Sequence, residues 1–449
     1  MAEGREASSA APGELELEAA ERGLLGIRWF NRDLGWLFVL RILRSIPQGY
    51  LGIILPLYLA LLGYSAVALG TLLAFSALAA ALISMLTGVL SDRFGRKTLI
   101  AIISLLFAVG GVGFAFARSF FWIVTFAAIG SIGRGGALAG GAWGPFYPAV
   151  QALVAEESSD YDRTTVFGVF SFVGVMAGAI GSLMAGLPTL TRHAVGLSEL
   201  ETYRGLFILS GFLGVVMAFA IMPVRERRPV PAEAFDATRH EPAVAVTRTL
   251  GLSRESWHLV IRFMITNSTN GLAIGMLGPF VVYWFYRRFG ASSGELAGVF
   301  FIINLVSSIP YLAAGRIALM LGSVRAVVIT RTISTVLLFG VVMVPTFGLA
   351  AILYGVRALF NLLSIPVRQS YLMGVIDPAE RASASGFASF PSQVTSAIGP
   401  YLAGYFMEHL ALALPLEFAA AMQGLNTFLF WIFFRRVYPP EELDSGAAK

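Results

Sequence analysis

Charged residues are scarce in this chain, and cysteine is absent. Of 449 residues, only 13% are charged and 57% are hydrophobic. A soluble protein keeps roughly a quarter of its residues charged to cover its surface, so most of this chain must be surrounded by lipid. The lack of cysteine excludes disulfide bonds and thiolate metal sites.

Signatures of catalysis and of ATP use are also missing. The four histidines are scattered through loops and helix ends, and no phosphate-binding Gly-Lys-Ser/Thr loop occurs. The basic residues are dispersed along the chain, so the net charge of +5 does not indicate nucleic acid. We therefore predict no enzyme, no catalytic residues, no cofactor, no metal site and no nucleic-acid partner. Any transport must draw on an ion or solute gradient.

The chain consists instead of long apolar runs. A membrane-spanning helix needs about 20 largely apolar residues, whereas barrel strands alternate in polarity over about ten. The runs predict an all-α membrane protein with twelve transmembrane helices. They lie at about 34–62, 66–90, 98–117, 120–150, 164–187, 203–222, 257–286, 293–315, 326–344, 347–375, 383–407 and 415–436.

One long polar stretch divides these helices into two sets of six. The predicted domains are a tail 1–33, an N-terminal bundle 34–222, a linker 223–256, a C-terminal bundle 257–436 and a tail 437–449. With the N-terminus inside, cytoplasmic segments hold 20 Lys and Arg and external loops hold five. Because cytoplasmic loops are the basic ones, both termini and the linker are predicted to be cytoplasmic, in a multi-pass protein of the plasma or inner membrane.

The two sets of helices repeat in sequence. At a constant offset of 218 residues, Pro148, Gln151 and Arg163 recur as Pro366, Gln369 and Arg381, with small residues matching at the same offset. Matches of small residues alone are common at membrane helix interfaces, but Pro, Gln and Arg matches at fixed spacing are not. Parallel repeats with a site between the halves are a transporter architecture.

The loop after the second predicted helix carries the most specific motif, formed by Gly88, Asp92, Arg93, Gly95, Arg96 and Lys97. It resembles the signature of the major facilitator superfamily. The resemblance implies two pseudo-symmetric six-helix bundles, alternating access and a cytoplasmic latch in which the Asp docks on the start of the eleventh helix. The second half keeps the glycine spacing at Gly315 and Gly322, but Leu319 stands in place of the Asp.

Arg163 and Arg381 lie at the predicted starts of the fifth and eleventh helices, each after an acidic residue. The resemblance implies that they join the same latch, and simple anchoring of the loop is the alternative. In the fifth helix, Ala179 occupies the place of the Pro found in drug/proton antiporters. Close helix packing is therefore the interpretation of its glycines, Gly174, Gly178 and Gly181.

Arginine, rather than Asp or Glu, occupies the interior of the predicted helices. Arg cannot escape burial by losing its proton, and a charge at that depth costs at least a few kcal/mol unless it faces a cavity or a partner. Arg41, Arg44 and Gln48 share one helix face, Arg357, Asn361, Ser364 and Arg368 line another, and Arg134 lies near the bilayer middle.

Three interpretations of these arginines stay open. A basic cavity could bind an anion through bidentate contacts. Arg134 could instead match the helix-four arginine of the antiporters that the chain resembles. Arg41, Arg44 and Arg368 could snorkel to the headgroups. For Arg134 and Arg357, a structural bond to backbone carbonyls is a further alternative.

Uncharged polar residues on the seventh and eighth predicted helices could line a translocation path or bond helices together. The predicted substrate cavity comprises Arg44, Gln48, Arg134, Asn267, Asn270, Asn304, Tyr311, Arg357 and Asn361. We expect a secondary transporter that moves a small solute by alternating access, with efflux as one option for the direction, and the arginine-lined cavity suggests an anionic substrate. Proton-coupled multidrug efflux, sugar transport and a non-transporting sensor are the alternatives. Expected partners are the substrate, protons or a counter-transported solute, and lipids, and we expect a monomer.

Overall fold

The computed structural model describes residues 30–133, 145–157, 163–225, 253–307, 309, 320–376 and 381–437. For residues 85–94, 147–148, 152, 155–156, 163–165, 193, 195, 373, 381–383 and 385 it describes the backbone but not the side chains. Helices account for nearly all of these residues. Before the predicted linker they are α1 (Arg32–Leu61), α2 (Ala66–Phe94), α3 (Arg96–Phe116), α4 (Phe120–Gly130), α5 (Phe146–Glu156), α6 (Arg163–Met184), α7 (Leu187–Val195) and α8 (Glu199–Ala220).

After the predicted linker the helices are α9 (Arg254–Leu277), α10 (Phe280–Phe289), α11 (Ser293–Val306), α12 (Ser323–Met343), α13 (Phe347–Val375), α14 (Arg381–His409) and α15 (Leu414–Phe434). Within the described residues, eight helices are long and apolar enough to cross a membrane. Large apolar side chains such as Phe121 (70% exposed) and Met343 (81% exposed) point away from the protein, as a lipid-facing surface requires. The all-α prediction is confirmed, and the count of twelve spans stays a prediction.

Two predicted helices are interrupted in the structure. The helix predicted over 120–150 is wrong as a single helix, because α4 ends at Gly130 and is followed by Ser131 and Gly133, whose positive φ angles (50° and 87°) a right-handed helix cannot contain. The helix predicted over 257–286 is broken between α9 and α10 at Gly278-Pro279. Proline lacks the N–H that would continue the ladder.

The helices of the two sets pack in the same pattern. In the first set α1 packs on α6, and α3 packs on α4 and α8. In the second set α9 packs on α14, and α12 packs on α13 and α15. The repeat extends to the backbone, because Gly95 (φ 83°, ψ 146°) caps α3 and Gly322 (φ 76°, ψ 148°) caps α12. Glycine adopts such a positive φ without strain. The predicted domain boundaries themselves stay a prediction.

Glycines bring α1 and α6 into backbone contact. A Cβ on Gly49 would collide with the carbonyl oxygen of Gly178, and a Cβ on Gly181 would collide with the backbone of Ile46. The interpretation of the α6 glycines as packing residues is therefore confirmed. This close approach fixes the face of α1 that presents the arginines.

Candidate functional site

The two sets of helices meet at one end of the molecule, where α1 ends and α2 begins, which is the external end in the predicted orientation. Glu408 Oε2 accepts a hydrogen bond from the Val67 N–H at 2.9 Å. The hydroxyls of Thr189 and Ser293 lie 3.1 Å apart. We call these two contacts the outer seal.

Below the outer seal, α2 and α14 run antiparallel and line an open cavity of about 950 Å³. Its outer end is closed by backbone contact, because a Cβ on Gly404 would collide with Ala66. Its walls are mainly apolar, with Phe75, Leu78, Leu82, Phe390, Val394 and Ile398 among them. The walls come from both sides of the predicted linker, so this cavity lies between the two sets of helices.

Arg44 and Gln48 lie one helical turn apart on α1. Within the described residues, neither side chain contacts an acid or donates to a backbone carbonyl. Arg44 is 4% exposed, and its Cζ lies 4.1 Å from the ring centre of Phe107 and 5.9 Å from that of Phe146. Its Nε is buried without a hydrogen-bond partner, and so is Oε1 of Gln48. Buried polar atoms are normally bonded, so each of these two atoms has an unfilled hydrogen-bonding capacity.

Of the three interpretations left open, snorkelling to the headgroups does not fit the burial of Arg41 and Arg44 within the protein. Arg44 lies roughly 18 Å along α1 from its start and is enclosed by aromatic rings of α3 and α5. Arg41 is 3% exposed, lies 5.5 Å from the ring centre of Phe170 and covers Gly174. Cation–π contact favours these positions, and the glycine leaves room for the guanidinium.

Arg357 forms a second basic position, on α13. Its Nη2 donates to Oε1 of Gln423 at 3.3 Å, and its Cζ lies 5.4 Å from the ring centre of Tyr354. Gln423 in turn donates to Asn361 Oδ1 at 3.3 Å and to Ser334 Oγ at 3.0 Å. The alternative of a bond to a backbone carbonyl is therefore wrong for Arg357, whose partner is a side-chain amide. Its Nε is buried and unbonded.

Arg331, on α12, was not among the predicted cavity residues. It is 2% exposed and donates to Asn270 Oδ1 at 2.6 Å, Ser364 Oγ at 3.0 Å and Asn426 Oδ1 at 3.4 Å. It lies only five residues inside the predicted helix 326–344 and therefore looked like an edge residue. The signal that could have found it is polar spacing on one face of α12, namely Thr330, Arg331, Ser334 and Thr335.

Two predicted polar residues bond helices to one another. Asn267 Nδ2 donates to the Ala388 carbonyl at 2.7 Å, which joins α9 to α14, while its Oδ1 is buried and unbonded. Asn304 Nδ2 donates to Ser182 Oγ at 3.1 Å, which joins α11 to α6 across the two sets. Asn304 thus lies where the sets meet, and Asn267 lies inside the second set.

The structure describes the signature motif only in part. Gly88, Asp92 and Arg93 belong to the last turns of α2, and Arg96 begins α3. Lys97 Nζ donates to the carbonyls of Met222 and Val224, at the end of α8, so it fixes the chain where the linker is predicted to begin.

Other predicted residues are described only partly or not at all. Arg163 and Arg381 are the first residues of α6 and α14, and their side chains, like those of Asp92 and Arg93, are not described. Arg134 and Tyr311 lie outside the described residues. The latch therefore stays a prediction. Within the described ranges, no group of three His, Asp or Glu is placed to hold a metal.

Among the described residues one ion pair is formed, between Arg192 and Glu199 at 3.3 Å on the surface. The hydrogen-bond partners of Arg331 and Arg357 are neutral, and Arg44 is flanked by aromatic rings. A guanidinium in such surroundings can bind a carboxylate or phosphate in bidentate geometry.

Comparison with known proteins places this architecture. The family model of the Major Facilitator Superfamily matches residues 37–365. The multidrug resistance protein MdtG of Proteus mirabilis is 23% identical over 393 residues, which cover 85% of this chain and 90% of that protein.

Two solved structures share the fold. A bacterial homologue of the human lysosomal transporter Spinster, inward-facing and occupied, has a TM-score of 0.69 at 14% identity, over 90% of this chain and 96% of that one. The human organic anion transporter MFSD10 (TETRAN) has a TM-score of 0.55 at 16% identity, over 89% and 99%. The family match spans well over half of the chain, so this protein belongs to the Major Facilitator Superfamily and is a multi-pass transporter of the cell membrane rather than an enzyme.

Proposed function

We propose that this protein is a secondary active transporter that exports a small organic anion by alternating access. The observation that carries the proposal is the unfilled bonding capacity of buried cationic and amide groups, Arg44 and Gln48 on α1 and Arg357 on α13. A charge at this depth costs several kcal/mol unless it is compensated. A bound anionic solute supplies that compensation. It neutralises the buried arginine charge only while it is bound, as transport requires.

Aromatic rings beside both arginines favour an organic anion over an inorganic one. Phe107 and Phe146 flank Arg44, and Tyr354 flanks Arg357. A ring or alkyl group packs on these rings while a carboxylate contacts the guanidinium. The organic anion transporter that shares the fold and the multidrug resistance relative support the substrate class and the direction of export, respectively.

The outer seal supports alternating access. Val67 and Glu408 join the two sets at the outer end, and the open cavity between α2 and α14 lies below this contact, as an inward-facing form requires. Rocking of the two sets of helices about the site would break the outer seal and close the opposite end.

The test is the thermal stability of the purified protein in a panel of ligands, with chloride held constant throughout. Succinate, benzoate and inorganic phosphate represent anions, ethidium represents cations and xylose represents neutral sugars. A ligand at one hundred times its dissociation constant stabilises the folded state by about 2.7 kcal/mol. We expect benzoate or succinate to stabilise the protein, and Arg44→Gln and Arg357→Gln to lose the effect while Arg262→Gln, at an exposed α9 position, keeps it.

A second candidate is multidrug efflux, which the apolar cavity between α2 and α14 and the MdtG relative favour. In that case ethidium stabilises the protein, benzoate does not, and the arginine variants keep the ethidium response. Substitution of Phe390 by Gln in the cavity wall would then weaken that response, while Arg44→Gln would not. The two candidates therefore give opposite patterns across the same variants.

A further inference from the structure

A cluster of arginine and amide side chains lies within the second set of helices, apart from the proposed substrate contacts on α1 and two helical turns along α13 from Arg357. We define the Arg331 cluster as Arg331, Asn270, Ser364, Asn426 and Arg368. The hydrogen-bond partners of Arg331 come from α9, α13 and α15. All of these helices follow the predicted linker, and none of the hydrogen bonds reaches the first set.

The cluster concentrates positive charge. Arg368 lies one helical turn beyond Ser364 on α13, and Arg357 lies two turns before it, so both flank the Ser364 that Arg331 contacts. Arg368 Nη1 is buried without a hydrogen-bond partner.

No acid in the described part of the chain lies within ion-pair distance of these three arginines. Amide and hydroxyl oxygens fill the hydrogen bonds of Arg331, but they carry no net charge to offset it. Arginine keeps its proton even when buried, and like charges repel strongly where the effective dielectric constant is low. The cluster therefore lacks one component, a negative charge.

We propose that the Arg331 cluster binds one small inorganic anion, chloride or an ion of similar size, next to Arg331 and Arg368. The ion is a resident of the second set of helices rather than the transported solute. Because Arg331 is 2% exposed and hydrogen-bonded to three helices, we assign a small ion rather than an organic molecule to this cluster. The bound anion holds α9, α12, α13 and α15 together by cancelling the repulsion among their arginines.

The proposal predicts a chloride-dependent stability. The melting temperature of the purified protein is measured while sodium chloride replaces sodium gluconate at constant ionic strength and without organic substrate. The wild-type melting temperature should rise saturably with chloride. Arg262→Gln, which removes an exposed arginine from α9, should keep this rise, because its guanidinium is outside the cluster.

Two variants give the sharper test. Asn270→Asp places a carboxylate where an amide oxygen lies 2.6 Å from Arg331, so the chain itself supplies the missing charge. Arg368→Gln removes one of the repelling charges. In gluconate both variants should melt at or above the wild-type temperature, and in both the chloride response should be largely lost.

Either of two results would overturn the proposal. One is a wild-type melting temperature that does not change with chloride. The other is a chloride response that Asn270→Asp and Arg368→Gln retain in full, which would place the ion elsewhere. Arg44→Gln separates this proposal from the proposed function, because it should lose the benzoate or succinate response and keep the chloride response.

Discussion

The carboxylate of Glu408, in the last turn of α14, accepts a hydrogen bond from the backbone N–H of Val67, in the first turn of α2. The contact joins residues 341 positions apart and belongs to both sets of helices. A negative charge is favourable at a helix N-terminus. The Val67 N–H, followed by the Ser65 hydroxyl, lowers the pKa of the Glu408 carboxyl, so this carboxyl is charged at neutral pH.

Removal of this carboxylate should open the outer end. Glu408→Ala loses the charge and the acceptor, which together are worth about 0.3–1 kcal/mol at a helix N-terminus, so the outward-open population should rise about two- to five-fold. Glu408→Gln keeps an acceptor and should have a smaller effect. Spectroscopic distances between labels on the outer ends of α2 and α14 measure the change. Glu417→Ala, on the neighbouring α15, is the control and should leave the distances unchanged.

The same contact should respond to acid. A carboxyl whose pKa is lowered in the sealed form contributes stability above its ordinary pKa and loses it as the pH falls through the lowered value. The outer distances should therefore widen only in acid, below about pH 4 by the ordinary carboxyl value. Distances that widen equally in Glu408→Ala would assign the acid response to other groups.

Asp92→Asn should act in the opposite direction to Glu408→Ala. The resemblance of the signature loop to the family motif predicts a latch at the cytoplasmic end that favours the outward-open form. Loss of the Asp charge should shift the population inward, and labels on the cytoplasmic ends of α2 and α14 should move apart. Unchanged distances together with unchanged transport would contradict the latch.

Features that depend on a single helix, such as its length and its polar face, were predictable from the sequence. The apolar run 347–375 coincides with α13, and the polar stripe of Arg357, Asn361 and Ser364 indeed faces other helices. Contacts between distant helices were not predictable, because no local pattern specifies which residue lies opposite. The outer seal is one such contact.

The position of an arginine along its helix was also poorly predicted from the sequence. Arg331 looked peripheral because the predicted helix began at 326, whereas α12 begins at Ser323, directly after the left-handed Gly322. The additional turn places Arg331 roughly 12 Å along the helix. Likewise, extension of Arg44 to the headgroups was one of the interpretations left open, and Phe107 and Phe146, from other helices, lie beside its guanidinium.

Close packing of α1 on α6 makes a further prediction. Gly49→Ala would place a Cβ against the backbone of Gly178 and Ser182, and overpacking of this kind costs typically 1–3 kcal/mol. The melting temperature should fall. Gly168→Ala, on α6 but with open space around the added Cβ, should melt close to the wild type. Equal melting temperatures for the two variants would show that α1 and α6 accommodate the added methyl group without loss of stability.

The central claim is that buried arginines bind a transported organic anion, and counterflow in proteoliposomes tests it most directly. Vesicles containing the purified protein are loaded with unlabelled benzoate or succinate, and uptake of the same labelled anion is measured. Loss of a hydrogen bond to a charged group costs about 1.5–3 kcal/mol. Uptake by Arg44→Gln and Arg357→Gln should therefore fall about tenfold or more, while Arg262→Gln matches the wild type. Wild-type uptake rates in Arg44→Gln and Arg357→Gln would contradict the account and leave the buried arginines a structural role.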